Sequence, residues 1–271
     1  LLMFISCDKK TKVEKEVETT YFADMVIKDV ISALQEKLGY DKNEAERKLF
    51  NGGLKIVATI DTQMQNILEE AFSNPELFPK STEDETGALQ PEAAMVIIDN
   101  STGHIKAVMG GRSSKVRRGL NRATQSPRQP GSAIKPLAVY APALDNGYTA
   151  GTVIDDSPVT FGNYSPNNYS RNFNGLVTVR EAIQSSLNVV AVRIVQDVGI
   201  QRSAEYLQNF GISTVVTSGS RNDMNLPALA LGGMTKGIKP VELAAAYTTF
   251  PNKGIYTQPV SFLKYSTGME M

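Results

Sequence analysis

At 271 residues, with 41% apolar side chains, the chain is large enough to bury a sizeable core in one large domain or two smaller ones. Its 28 basic and 28 acidic residues leave no formal net charge, which argues against a nucleic-acid binder and against strong attraction to an acidic surface. A single cysteine, Cys7, excludes an intrachain disulfide and leaves the redox compartment open; a single histidine, His104, weighs against Ser-His-Asp relays and histidine-rich metal sites. Residues 1–5 are apolar but far short of the roughly 20 residues a membrane helix needs, so they read as a trimmed chain end or the remnant of a targeting segment. Residues 23–38 place Ile27, Val30, Ile31, Leu34 and Leu38 at helical spacing before Gly39, which predicts an amphipathic linker or docking helix. Asn51-Gly52-Gly53 then opens a strand over 54–60, and Asp61 is placed to cap a helix running to about Phe72. Residues 73–90 are polar, acidic and Pro/Gly-bearing, and predict a loop. Residues 93–98 and 105–109 flank a turn as a hairpin, with His104 in a structural part, and these strands are expected to share one sheet. Arg112, Lys115, Arg117, Arg118 and Arg122 form a basic group that reads as a solvated loop, with contact to an anionic polymer the minority reading.

The next stretch, Arg128-Gln129-Pro130-Gly131-Ser132-Ala133-Ile134-Lys135-Pro136, carries chemistry. On a helix, positions i and i+3 share a face, so the amine of Lys135 is within reach of the hydroxyl of Ser132: a nucleophile and a base without histidine. Pro136 is tolerated only near a helix start, which places that start close to Ser132, with its free amides and positive end toward an oxyanion. The SxxK spacing also occurs at Ser6 to Lys9 and at Ser261 to Lys264. Only Ser132 has Gly before it and a helical apolar run after it, from Leu137 to Leu144, closing at Asn146-Gly147 with Pro142 kinking the last turn. Residues 147–175 have no sustained period and predict irregular structure. Thr178 and Glu181 form a capping box, and Ala182, Ile183, Leu187, Val190, Ala191, Ile194 and Val198 keep helical spacing without interruption to Gly199. Helices over 204–210 and 240–250 and a strand over 258–264 complete the expected elements.

Several of these segments together resemble the transpeptidase domain of a class A penicillin-binding protein. The opening Asn51-Gly52-Gly53-Leu54-Lys55-Ile56-Val57-Ala58-Thr59-Ile60-Asp61, the approach Asn121-Arg122-Ala123-Thr124 with Arg128 to Ser132, and Leu231-Gly232-Gly233 with Pro240-Val241-Glu242-Leu243-Ala244 carry the likeness. Arg180-Glu181-Ala182-Ile183-Gln184-Ser185-Ser186-Leu187-Asn188 is similar to the family's second motif, SxN. That pattern recurs at Ser165 to Asn167, Ser170 to Asn172 and Ser220 to Asn222, so only the surrounding sequence selects Ser186 and Asn188.

The resemblance implies an α+β fold of the β-lactamase/transpeptidase type: an antiparallel sheet flanked by helices plus a mostly helical subdomain, with the C-terminal part missing. Residues 1–50 would be a tail from an upstream glycosyltransferase domain, and 51–271 a transpeptidase domain cut before its third motif, since Lys-Thr-Gly is absent from the sequence. It implies a break between two helices that aims Ser186 and Asn188 into the cleft. It also implies a D,D-transpeptidase that cross-links peptidoglycan stem peptides through an acyl-enzyme on Ser132, with possible carboxypeptidase side activity. Lys135 would be the base, Ser186 a proton relay, and Asn188 the group holding both substrate amide and Lys135. Partners would be D-Ala-D-Ala donors, amine acceptors, β-lactam antibiotics and the cell-wall synthesis machinery, with no nucleic acid, cofactor or metal. The place of action would be the extracytoplasmic face of a bacterial membrane, with the anchor outside this chain. The rival readings are a β-lactamase and a non-catalytic penicillin-sensing or scaffold domain.

Overall fold

The computed structural model describes residues 20–85, 88–112 and 118–267. Cys7, the 1–5 run, the SxxK copy at Ser6 to Lys9, Lys115 and Arg117 lie outside them. Helix α1 (Tyr21–Leu38) forms because Thr20 accepts from the Ala23 amide at its start and Gly39, at φ 69°, closes its end by donating to Gln35 O. Its apolar face, including Phe22, Val30 and Leu34, is buried in a cluster with Ile56, Ile105, Val108 and Phe262. A second helix, α2 (Lys42–Asn51), has no counterpart among the expected elements. Only Ala45 of it is buried, so it has almost no apolar period; its signature is the capping box of Asp41 and Glu44, closed by bonds of 2.8 and 2.9 Å.

Strand β1 (Leu54–Ala58) and helix α3 (Thr62–Ser73), capped by Asp61, follow as expected. The 73–90 loop contains a 3-10 turn (Pro75–Leu77) and a minute ribbon, β2 (Thr82–Glu83) with β3 (Leu89–Gln90). The hairpin is β4 (Met95–Ile98) with β5 (Ile105–Met109), followed by the short α4 (Arg122–Gln125). Arg112 and Arg118 lie over the Phe78 and Phe50 rings, and Arg122 faces Glu92, so these three arginines of the basic group are engaged within the fold.

The helical part contains α5 (Ala141–Asp145), α6 (Val179–Gln184), α7 (Asn188–Val198), α8 (Ile200–Asn209), α9 (Leu226–Leu231) and α10 (Pro240–Thr248). It also holds a ribbon, β6 (Val153–Asp156) with β7 (Gly175–Thr178), inside and just after the stretch expected to be irregular. Helix α7 runs through the middle of the larger core, with Val189, Val190, Ala191, Val192, Ile194 and Val195 all buried.

The last strand is β8 (Phe262–Thr267), later than expected, because Val260 just before it bonds instead to Gly103 and Ile105 at the start of β5. It pairs antiparallel with β1, while β4 pairs with β5 in a separate ladder. Strands β4 and β5 share a sheet as expected, and their ladder meets the β1–β8 ladder at a seam, where Ile105 N donates to Val260 O and Thr59 Oγ1 to Ile105 O. Register shifts interrupt the two ladders at Val57/Ala58 and at Ile97/Ile98. The SxxK copy at Ser261 is a strut: its buried hydroxyl donates to Asp29 Oδ2 at 2.5 Å, while Lys264 points to solvent.

Candidate active site

The Ser132 segment is helical but not uniformly so. A 3-10 turn (Gly131–Ile134) leads into a π turn (Pro136–Tyr140) and then α5. The cause is Pro142, whose ring would strike the carbonyl four residues back and which has no N–H to give. Widening the turn, with Ala141 N donating five residues back to Pro136 O, relieves both problems. In the 3-10 turn residues three apart eclipse, so Ser132 and Lys135 stand one above the other, and Lys135 N–H donates to Ser132 O. Ser132 is exposed at the surface, whereas Lys135 is 2% exposed.

Periodicity predicts one helix over 182–198; the structure has two, as the family likeness implies. Helix α6 ends at Gln184, Ser186 takes a left-handed conformation at φ 50°, and Leu187 N reaches back to Ala182 O before α7 begins. A non-glycine residue in that region is strained by about 1 kcal/mol. Its effect is to turn both the carbonyl and the hydroxyl of Ser186 toward Lys135. The Lys135 ammonium donates to Ser186 O at 2.7 Å, to Ser186 Oγ at 3.1 Å and to Asn188 Oδ1 at 2.6 Å. No hydrogen bond joins Lys135 Nζ to Ser132 Oγ among the described residues; the amine is held by the SxN pair and the serine hydroxyl faces solvent. Burial lowers the Lys135 amine from 10.5 to about 8, a shift that costs about 3 kcal/mol of charged-form stability.

Two supporting groups brace the site; in the sequence Arg128, Gln129 and Gly232 enter only through the family likeness, and the residues that grip them do not stand out. The first holds the serine turn from behind. Arg128 pairs with Ile238 through both backbone groups, Gln129 Nε2 donates to Met234 O, and Tyr247 OH on α10 donates to Ala133 O at 2.7 Å. Gly232, at φ 77°, packs so closely that an added Cβ would sit 2.3 Å from Gly131 O; at Gly237 it would sit 2.4 Å from the Arg128 carbonyl carbon. Gly232→Ala is therefore expected to displace Gly131, the neighbour of Ser132, and to slow covalent labelling of that serine by a reactive acyl donor about 100-fold. Stopped-flow labelling measures the rate, and circular dichroism should show that the variant remains folded.

The second group is the loop 165–174, where two of the spare SxN patterns lie. It supplies Asn167 O to Asn188 Nδ2 at 2.9 Å and Asn168 Oδ1 to Asn188 N at 2.8 Å. The third spare copy, at Asn222, makes local turn contacts with Gly219 and Met224. His104 lies in the β4–β5 hairpin. No group of three or more His, Cys, Asp or Glu among the described residues is placed to hold a metal.

Comparison with known proteins places this arrangement. The family described as penicillin binding protein transpeptidase domain matches residues 93–266. Penicillin-binding protein 1A of Clostridium tetani is 35% identical over 259 residues, covering 90% of this chain and 32% of that protein. Penicillin-binding protein 1F of Bacillus subtilis is 34% identical over 248 residues, covering 91% of this chain and 32% of that protein. The chain thus spans about a third of the length of these curated relatives. Among solved structures, PonA1 of Mycobacterium tuberculosis in complex with penicillin V matches with a TM-score of 0.74 at 25% identity, over 90% of this chain and 62% of that one. With fold, helix break and motif context in agreement, the chain belongs to the penicillin-binding protein transpeptidase domain family, in its class A branch.

Proposed function

We propose that this chain carries the acyl-transfer site of a D,D-transpeptidase acting on peptidoglycan stem peptides. The observation that carries the reading is Lys135: an amine buried to 2% exposure, lowered to about 8, and locked by Ser186 and Asn188 one short turn from an exposed serine. At pH 7 about a tenth of such an amine is the free base, enough to accept a proton. Ser132 Oγ attacks the carbonyl carbon between two terminal D-alanines, and its proton passes to Lys135 Nζ. The C–N bond then breaks, and D-alanine leaves with a proton relayed from Lys135 through the Ser186 hydroxyl. An amine from a neighbouring stem attacks the resulting ester, forms the cross-link and returns Ser132 to its free state. Asn188 keeps Lys135 in place and offers its side chain to the substrate amide.

The third family motif, Lys-Thr-Gly, does not occur in this sequence. Residues 51–271 carry the transpeptidase unit, and helix α1, from the 1–50 stretch read as a tail of a glycosyltransferase half, packs into its core. The substrate dictates the place of action, the outer face of a bacterial membrane. No helix among the described residues is long and apolar enough to cross that membrane. β-Lactams acylate the same serine because their strained amide occupies the place of the scissile bond.

The test uses a stem-peptide analogue ending in D-Ala-D-Ala together with an amine acceptor. Free D-alanine and the cross-linked product should both accumulate, measured by chiral chromatography and mass spectrometry. A chain that is acylated by penicillin yet never releases D-alanine from the analogue would contradict the assigned substrate.

A further inference from the structure

We infer that Asp156 and Asn168 are positioning residues for the SxN pair, acting as a buried carboxylate that orients an amide, which in turn sets where Asn188 stands. The inference rests on the acyl-transfer reading above and concerns residues outside every motif that points to it. Helix α7 has no cap of its own: Leu187 occupies the capping position and its side chain makes no hydrogen bond. Asn168, 20 residues upstream, supplies the cap from the loop, its Oδ1 accepting from Asn188 N at 2.8 Å and from Val189 N at 3.3 Å.

A cap of this kind works only if the amide presents oxygen to the helix and nitrogen away from it. Asp156 enforces that choice. A carboxylate can only accept, and both of its oxygens accept from Asn168 Nδ2, at 2.8 and 3.0 Å. The same nitrogen donates to Asn172 O at 3.0 Å, and Asn174 donates to Asp156 Oδ2 from its backbone N at 3.0 Å and from its side chain at 2.8 Å. Asp156 is fully buried and Asn168 is 5% exposed, so water does not compete for these bonds.

The consequence reaches the reacting groups in two steps. Asn168 fixes the backbone of Asn188, while Asn167 O takes the Asn188 Nδ2 at 2.9 Å. Held at both ends, Asn188 has its Oδ1 left to face Lys135 Nζ at 2.6 Å. A buried carboxylate with amide partners and no ion-pair partner among the described residues is costly as mere packing. It is understandable as an orienting device, because an asparagine in its place would let the Asn168 amide turn over.

The test measures acylation by a fluorescent penicillin, with its pH profile, in the wild type, Ser132→Ala, Asp156→Asn, Asn168→Asp and the double variant Asp156→Asn/Asn168→Asp. Asn168→Asp alone sets two carboxylates against each other and should slow labelling about 100-fold; Asp156→Asn alone should slow it about 10-fold. The double variant reverses donor and acceptor while keeping an oxygen on the α7 amides, and should regain most of the loss. In the single variants the rising limb of the pH profile should also move to lower pH, because Lys135 loses an acceptor that favours its charged form.

Single variants that label at the wild-type rate overturn the inference. So does a double variant no better than the worse single, or losses that follow the unfolding midpoint while the pH profile stays fixed. Failure of the parent reading looks different: the wild type would then label no better than Ser132→Ala, and both proposals would fall together.

Discussion

Ser132→Ala should abolish covalent labelling by a fluorescent penicillin while leaving the unfolding midpoint unchanged. The hydroxyl is exposed and makes no hydrogen bond among the described residues, so its loss opens no cavity and strands no partner. Nothing else at the site replaces it as a nucleophile. Ser186 Oγ is bound to the Lys135 ammonium at 3.1 Å and sits on a backbone held at φ 50°, which suits the relay role proposed for it and not attack on a substrate. Gel fluorescence after brief exposure checks this directly; a band that persists in the variant means the nucleophile lies elsewhere.

Lys135→Met should slow acylation by roughly 100- to 10,000-fold, the range a general base contributes. Methionine has nearly the length of lysine and keeps the buried stem packed. The loss would therefore report the amine. Stability carries an independent signature of the same group. In the folded chain the amine titrates near 8, against 10.5 for the free side chain, so between those values the unfolded state binds more protons. The penalty for burying the ammonium is fully present below about 8 and fades as pH rises toward 10.5, so stability should increase with pH across that window. In Lys135→Met this increase should vanish, as denaturant melts at several pH values would show.

Much of the arrangement is legible in the residues themselves, for reasons that can be named. Ser132 and Lys135 stand out because Gly131 and Pro136 bracket a helix start and the apolar run after them fixes its phase. The π turn does not stand out, because it answers a clash between Pro142 and a carbonyl rather than a side-chain pattern. The break at Ser186 is invisible to periodicity, since Ala182, Ile183, Leu187 and Val190 keep helical spacing across it. The left-handed residue that makes the break is a serine, not a glycine, and only the family likeness points to it. Helix α2 announces itself through Asp41 and Glu44 alone, with a single buried residue to give it a period. The loop that holds Asn188 is the least legible part. Its bonds join residues 12 to 21 positions apart through backbone carbonyls and amide side chains, and no local rule encodes them. Its abundance of asparagine and serine reads as irregular structure, which it is, and says nothing of what that structure grips.

The central claim is that the uncharged Lys135 amine, kept partly deprotonated by burial, takes the proton of Ser132. The second-order rate of penicillin acylation between pH 6 and 10 tests it most directly. The rate should rise close to tenfold per pH unit, bend near 8 and then level off. A profile that is flat across the range, or that bends only near the 10.5 of a free lysine, would contradict it.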